Sequence, residues 1–280
     1  MPFRAELHCH STLSDGSFAP EEVARRAKAS GVRLFCLTDH DTFAGYEPTA
    51  EVLDGECIVL RGVELSCKEF GRTVHLLIYG LTEGPALDAF RGRLRTVHSQ
   101  RLVRLRAICE RLSTLGIRLD VDQLVVQSHG RSPGRPDVAR ALVEAGVCSS
   151  TKEAFVRYLR DGGPAYVDVD RFSVADGVAL GKAAGGRMAI AHPHTLGGLA
   201  PLRGLFRQLR DDGLEGIEAH YGRYTPGEQR EWVRFAQEFD LVTTGGSDFH
   251  GDLTPDIAGP GLDLPDAVAE RVCRWLDVRA

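Results

Sequence analysis

The chain has 280 residues, 43% hydrophobic and 26% charged, a balance that suits one large globular domain or a domain carrying a substantial insertion. A formal net charge of -5 argues against a protein that coats nucleic acid non-specifically, because such binding depends on neutralising many phosphates with Lys and Arg. No run approaches the roughly 18 apolar residues of a membrane helix, and the opening MPFRAELHCH turns polar too early for a signal peptide, so the expected compartment is the cytoplasm.

Short apolar runs that end in polar residues alternate with helical patterns. FRAELHCH reads as a strand and APEEVARRAKASG as a helix, with Ser17, Pro20 and the acidic pair Glu21 and Glu22 marking its start and Gly31 its stop. RLFCLTDHD follows as a strand, a short helix lies near EPTAEVL, and CIVLRGVELS and TVHLLIYG are further strands. From about Ala86 to Tyr166 the strand signal fades, while Leu94, Val97, Leu102, Leu105, Ile108, Leu112 and Leu115 recur at helical spacing, which predicts a helical insertion. Within it, RGRLRTVHSQRLVRLR carries six arginines and no acid; a solvated helix face and a phosphate-facing surface are both open readings. After Gly162-Gly163-Pro164 the alternation resumes: helix SVADGVALGKAAGG, strand RMAIAHPH, helix LRGLFRQLRDDG, strand GIEAHYG, helix TPGEQREWVRFAQEF and strand LVTTGGSDFH. Repeated strand-helix order predicts an α/β fold, with a barrel domain in 1-85 and 167-280 and the helical insertion in 86-166. The seven cysteines (Cys9, Cys36, Cys57, Cys67, Cys109, Cys148, Cys273) are scattered without a C-x-x-C pair, so they read as buried reduced thiols rather than disulfides or a thiolate zinc site.

Metal-competent side chains recur at one kind of place. His8 and His10 end the first strand and His40 the second, Glu64 and His75 lie on the third and fourth, His192 follows a later strand, and Asp248 and His250 end the last. In a barrel of parallel strands the C-terminal ends meet at one mouth, so these side chains would converge there. Residues at i and i+2 on a strand share a face, which lets His8 with His10, and Asp248 with His250, each grip one side of a site. His98, His129 and His220 follow no such pattern and read as ordinary hydrogen-bonded histidines. Asp39 beside His40 has two open roles, orienting an imidazole or shaping the turn.

HCHSTLSDG, LTDHD, GVELS, the isolated His75, AHPH and GSDFH resemble, in order, the motifs of the PHP (polymerase and histidinol phosphatase) superfamily of metal-dependent phosphoesterases. The resemblance covers nearly the whole chain, and the 86-166 segment resembles the insertion of the 3',5'-nucleoside bisphosphate phosphatase and RNase AM type. It implies a distorted (β/α)7 barrel holding two or three divalent ions. His8, His10, Asp15, His40, Glu64, His75, His192, Asp248 and His250 would be their ligands, with Glu64 bridging. Imidazoles and carboxylates without thiolate suit manganese, zinc or iron(II), among which ligand type alone does not choose; manganese is taken as the expected ion. Two ions about 3.5–4 Å apart would generate a bridging hydroxide that attacks phosphorus in line with the leaving alcohol.

Two positions depart from the family pattern. In GRPDVAR, Arg135 matches an expected arginine but Asp137 stands where a histidine is expected; after His192, the family's H-P-G-R reads His192-Pro193-His194-Thr195. Arg135 is therefore the candidate for a bidentate phosphate contact. His194 is either a solvated loop residue or a group that hydrogen-bonds substrate and protonates the leaving oxygen. The reading that results is a phosphatase of a small phosphorylated metabolite, a nucleotide such as a 3',5'-nucleoside bisphosphate, with Glu64, His194 and Arg135 in the catalytic roles. The alternatives are a 5'-3' exonuclease on short RNA or DNA oligonucleotides, a cyclic phosphodiesterase, and a non-catalytic metal-binding module. No membrane and no obligate protein partner is implied.

Overall fold

The computed structural model describes residues 2–69, 71–128, 133–168, 172–197 and 199–279. The chain divides into two compact units, Met1–Arg91 with Phe172–Ala280, and Gly92–Arg171.

The first unit is a nearly closed α/β barrel. Its strands are β1 (Phe3–Glu6), β2 (Leu34–Leu37), β3 (Ile58–Glu69), β4 (Arg72–Tyr79), β5 (Arg187–Ile190), β6 (Gly216–Tyr221), β7 (Val242–Gly246) and β8 (Leu262–Leu264), in the sheet order β7-β6-β5-β4-β3-β2-β1-β8. The helices α1 (Pro20–Ala29), α2 (Tyr46–Leu53), α7 (Val174–Ala183), α8 (Leu199–Asp212), α9 (Pro226–Glu238) and α10 (Asp266–Trp275) belong to the same unit, while α3 (Pro85–Thr114) runs from this unit into the second. The second unit holds α4 (Val121–Gln127), α5 (Arg135–Glu144) and α6 (Thr151–Ala154), built around Leu105, Ile108, Leu112, Leu124, Val138, Leu142 and Leu159.

Barrel strands are apolar on both faces because one side meets helices and the other the interior. Val23, Ala24 and Ala27 of α1 pack with Phe35 and Leu37 of β2, and Val272, Cys273 and Leu276, in and just after α10, join Phe3, Ala5, Leu34 and Tyr79. Two expectations are corrected here. Strand β4 runs antiparallel to both β3 and β5, so the barrel is not wholly parallel. β3 ends at Glu69 and β4 begins at Arg72, a connection far too short for a parallel crossover. His75 accordingly lies near the start of its strand, and that start is at the same mouth as the other strands' ends. The second correction is at α1: its N-cap is Ala19, without a side-chain bond, and Ser17 Oγ instead accepts from Asp252 N at 2.8 Å.

β8 occupies the edge beside β1, pairing Phe3 with Leu264, and the seam between β1 and β7 is joined beyond the ends of both strands. Asp248 N–H donates to His8 O at 2.7 Å, and His10 N–H donates to Phe249 O at 2.9 Å. Gly246 permits this approach: a Cβ there would lie 2.4 Å from both the N and the Cβ of His8. G246A should therefore lose about 1–3 kcal/mol of stability by overpacking and weaken metal binding together; thermal unfolding with and without metal checks this, and an unchanged melting temperature would refute it.

Candidate metal centre

Glu64, at the middle of β3, is 1% exposed and ringed by imidazoles. Its Oε2 lies 3.3 Å from His8 Nε2, 3.1 Å from His10 Nε2 and 3.0 Å from His40 Nδ1. Its Oε1 lies 2.8 Å from His75 Nδ1 and 3.1 Å from His192 Nε2. The register explains the grouping: Ser66 is paired with His75 and Glu64 with Leu77, so Glu64 and His75 sit diagonally on one face. Asp248 Oδ1 adds a second carboxylate, 3.4 Å from His8 Nε2 and 3.3 Å from His10 Nε2. Asp15 adds a third, 3.3 Å from His250 Nε2 and 3.5 Å from His40 Nε2.

The arrangement fits metal ions. The buried nitrogens His8 Nε2, His10 Nε2, His40 Nδ1 and His75 Nδ1 make no hydrogen bond of good geometry, yet face carboxylate oxygens across the distances above. Lone pairs opposed in this way require a proton or a cation between them. Four groups offer ligand atoms lying within 4.8 Å of one another: His10, Asp15, His40 and His250; His8, Glu64 and His192; His8, His10 and Asp248; His40, Glu64 and His75. All nine side chains expected from the sequence are thus brought to one place.

The opposite nitrogens of three rings are held by two side chains outside these clusters and by a backbone carbonyl. His8 Nδ1 lies 2.9 Å from Glu218 Oε1, His10 Nδ1 lies 3.3 Å from Ser14 Oγ, and His250 Nδ1 lies 2.9 Å from the Asp248 carbonyl. A proton on Nδ1 in each case leaves the Nε2 lone pair aimed inward. Asp39 serves this scheme indirectly: its carboxylate accepts from Ser11 N, Ser11 Oγ and Ser14 Oγ at 2.6–2.7 Å and so fixes the loop that supports His10 rather than touching His40. His192 and Asp248 hold left-handed backbone angles, φ 24° and 55°. Such strain costs roughly 1–3 kcal/mol per residue and persists where surrounding contacts over-determine it.

In the metal-free protein the charges are coupled. Burial would push His10 down, but the facing carboxylates of Asp248, Glu64 and Asp15 outweigh it and push the ring up to about 10. His8 is likewise raised well above its ordinary value, burial being outweighed by Glu218, Glu64 and Asp248. Burial lowers His40 to about 4. Burial would raise Glu64, yet His40, His75 and His8 together hold it well below the usual carboxylate range.

A model of the PHP domain matches residues 6–102. A 5'-3' exoribonuclease of Haemophilus influenzae is 34% identical over 272 residues, covering 96% of this chain and 97% of that protein. The chain belongs to the PHP family. Two more PHP relatives carry other activities in their names: a 3',5'-nucleoside bisphosphate phosphatase of Chromobacterium violaceum, 31% identical across 98% of this chain and 96% of that one, and a phosphoribosyl 1,2-cyclic phosphate 1,2-diphosphodiesterase of Eggerthella lenta, 34% identical across 88% and 94%. A solved amidohydrolase structure from Chromobacterium violaceum, with bound sulfate, superposes with a TM-score of 0.80 at 31% identity over 95% of this chain and 96% of that one.

The two departures from the family pattern have separate settings. His194 stands beside the PHP centre, its ring 6.2 Å from that of His192, with Nδ1 3.0 Å from the Tyr224 hydroxyl. Burial and the neighbouring His192 lower its pKa. Asp137 belongs to the helical unit, where its carboxylate accepts from Gly134 N at 2.7 Å and pairs with Arg140, capping α5. Arg135, in that unit, donates to Asp161 at 2.6 Å and to Leu159 O at 3.1 Å.

The sequence reading missed Glu218, Tyr221, Arg223 and Glu6. Glu218 is fully buried and holds both His8 Nδ1 and, at 2.7 Å, the backbone N–H of His192. Its signal was available: a carboxylate inside an otherwise apolar strand demands a partner. Glu6, also fully buried, accepts from His8 N, Ser247 N, Ser247 Oγ and Gly261 N, tying the strands that carry the centre. His98 and His220 stay outside the four clusters, and His129 lies outside the described residues.

Proposed function

We propose that this chain is a metal-dependent phosphoesterase that hydrolyses a phosphomonoester of a small nucleotide such as a 3',5'-nucleoside bisphosphate. Its ligands are His8, His10, Asp15, His40, Glu64, His75, His192, Asp248 and His250, holding two or three divalent ions, with manganese ahead of zinc or iron(II). The observation that carries this reading is the Glu64 carboxylate, whose two oxygens divide five imidazoles into two sets as a bridging ligand would. When bound, the ions would supply Lewis acidity toward phosphoryl oxygens and acidify a coordinated water. Glu218, Ser14 and the Asp248 carbonyl keep the rings oriented before substrate arrives, so little reorganisation is left for the reaction.

His194 is proposed as the substrate contact at the rim. With the Tyr224 hydroxyl donating to Nδ1, the proton of the neutral ring rests on Nε2, available to a phosphoryl or leaving-group oxygen. Arg135 is assigned as a second phosphate contact from the sequence resemblance.

The name of the Haemophilus influenzae relative favours a second reading, 5'-3' cleavage of short RNA. The arginine-rich run gives it limited support, since Arg91 pairs with Glu83 and Asp88, Arg104 donates to Val167 O, and Arg106 pairs with Asp122. Hydrolysis of mononucleotides, 3',5'-bisphosphates, cyclic phosphates, sugar phosphates and oligonucleotides, each with manganese, separates the readings. We expect the highest kcat/KM on a bisphosphate, with weak salt dependence. Faster turnover of an oligonucleotide, falling steeply with salt, would replace the phosphatase reading by the exonuclease one. Metal uptake without turnover of any phosphoester would leave a binding module. The cytoplasm is the proposed location, supported by seven free cysteines, all but Cys57 buried; no helix among the described residues is long and apolar enough to cross a membrane.

A further inference from the structure

Asp248 uses its two carboxylate oxygens for different purposes. Oδ1 faces the imidazoles, 3.3 Å from His10 Nε2, 3.4 Å from His8 Nε2 and 3.6 Å from His250 Nδ1. Oδ2 faces away from them and accepts from the Tyr221 hydroxyl at 2.8 Å and from Arg223 Nη1 at 3.2 Å. The same Nη1 donates to Tyr221 Oη at 2.8 Å, and Arg223 Nε donates to Asp256 Oδ2 at 2.7 Å. One guanidinium thus links the loop after β6 to Asp248 and to Asp256, which follows the last imidazole of the cluster in sequence.

Nothing in the sequence pattern assigns these side chains a role, and their geometry points to one. We propose that Arg223, acting with Tyr221, is a positioning residue that fixes the Asp248 carboxylate so that Oδ1 alone is presented to a metal ion. The proposal rests on the reading of Asp248 as a ligand. Rotation of the carboxylate about its Cβ–Cγ bond would give up both donors on Oδ2, so the group is held in one orientation before any ion arrives. The residue being held is also one whose backbone is in the left-handed region. A side chain starting from that backbone has few alternative directions, and the fork of Arg223 removes those that remain. Partners of this kind commonly contribute 10- to 100-fold to metal affinity.

The test is Mn2+ affinity, measured by competition with a chelator on the full chain, alongside the melting temperature of the metal-free protein. R223Q and Y221F are each expected to weaken Mn2+ binding by about tenfold, with the metal-free melting temperature unchanged; Y221F removes a single hydroxyl and guards against a folding defect. R223K, which keeps the charge but cannot reach Tyr221, Asp248 and Asp256 at once, is expected to stay nearer R223Q than wild type. Wild-type affinity in both R223Q and Y221F overturns the proposal, and so does a loss that appears only with a lower metal-free melting temperature. D248N serves as reference. If D248N binds Mn2+ like wild type, the ligand reading itself fails; if D248N is impaired and the other two are not, only the positioning role fails.

Discussion

E64Q is expected to lower kcat/KM on the best substrate by at least about 10^3-fold, several kcal/mol of transition-state stabilisation. The substitution preserves size and leaves β3 intact, so the barrel should fold with an unchanged circular dichroism spectrum. Five imidazole nitrogens nevertheless face this carboxylate at 2.8–3.3 Å, and an amide offers them one oxygen and an NH2 group with no lone pair to share. Loss of the charge also removes a counter-ion that His8 and His192 share, against the burial that favours their neutral form. Turnover and metal content measured together decide the matter: E64Q that retains activity within tenfold of wild type would sink the role given to this residue.

Stripping the metal with a chelator should reverse the slope of stability against pH. Below pH 6.5 the metal-free protein has its raised imidazoles protonated and paired with Glu64, Asp248 and Glu218, and their contribution is fully present. Between pH 6.5 and about 10, where His10 gives up its proton in the folded state, the native protein binds more protons than the unfolded chain, so stability falls with rising pH. His40, lowered to about 4, acts oppositely but only between pH 4 and 6.5. Metal requires deprotonated imidazoles, so the loaded protein should instead gain stability as pH rises through neutrality. At a metal concentration 1,000 times Kd the two forms would differ by about 4 kcal/mol. Thermal melts at pH 6, 7.5 and 9 with and without Mn2+ check this; parallel curves in the two states would contradict it.

The centre was legible in the sequence because most of its side chains fall just past the ends of strands, a place set by chain order, while Glu64 and His75 lie within β3 and β4. His8 with His10 and Asp248 with His250 lie just past the ends of β1 and β7, and Asp248 has a left-handed backbone, so the two-residue strand period alone does not account for their pairing. The direction of β4 was harder, since alternation of apolar residues is the same in either sense and only the short stretch after Glu69 distinguishes them. Glu218 escaped because its partners, His8 and the His192 backbone, come from other strands. Tyr221 and Arg223 escaped for the same reason: what they do is defined by Asp248 and Asp256, and no spacing along the chain encodes that. The residues singled out by resemblance divide similarly. Asp15 meets three of the histidines, whereas Asp137 finds its explanation in the cap of α5.

The seam of the barrel carries a consequence for biosynthesis. Asp248 N–H meets His8 O and His10 N–H meets Phe249 O only when the segments that follow β1 and β7 stand side by side. A ribosome therefore releases His8 and His10 long before the residues that complete their surroundings, and a nascent chain has no finished cage in which to trap an ion. The full set of nine side chains is complete only once translation has passed His250.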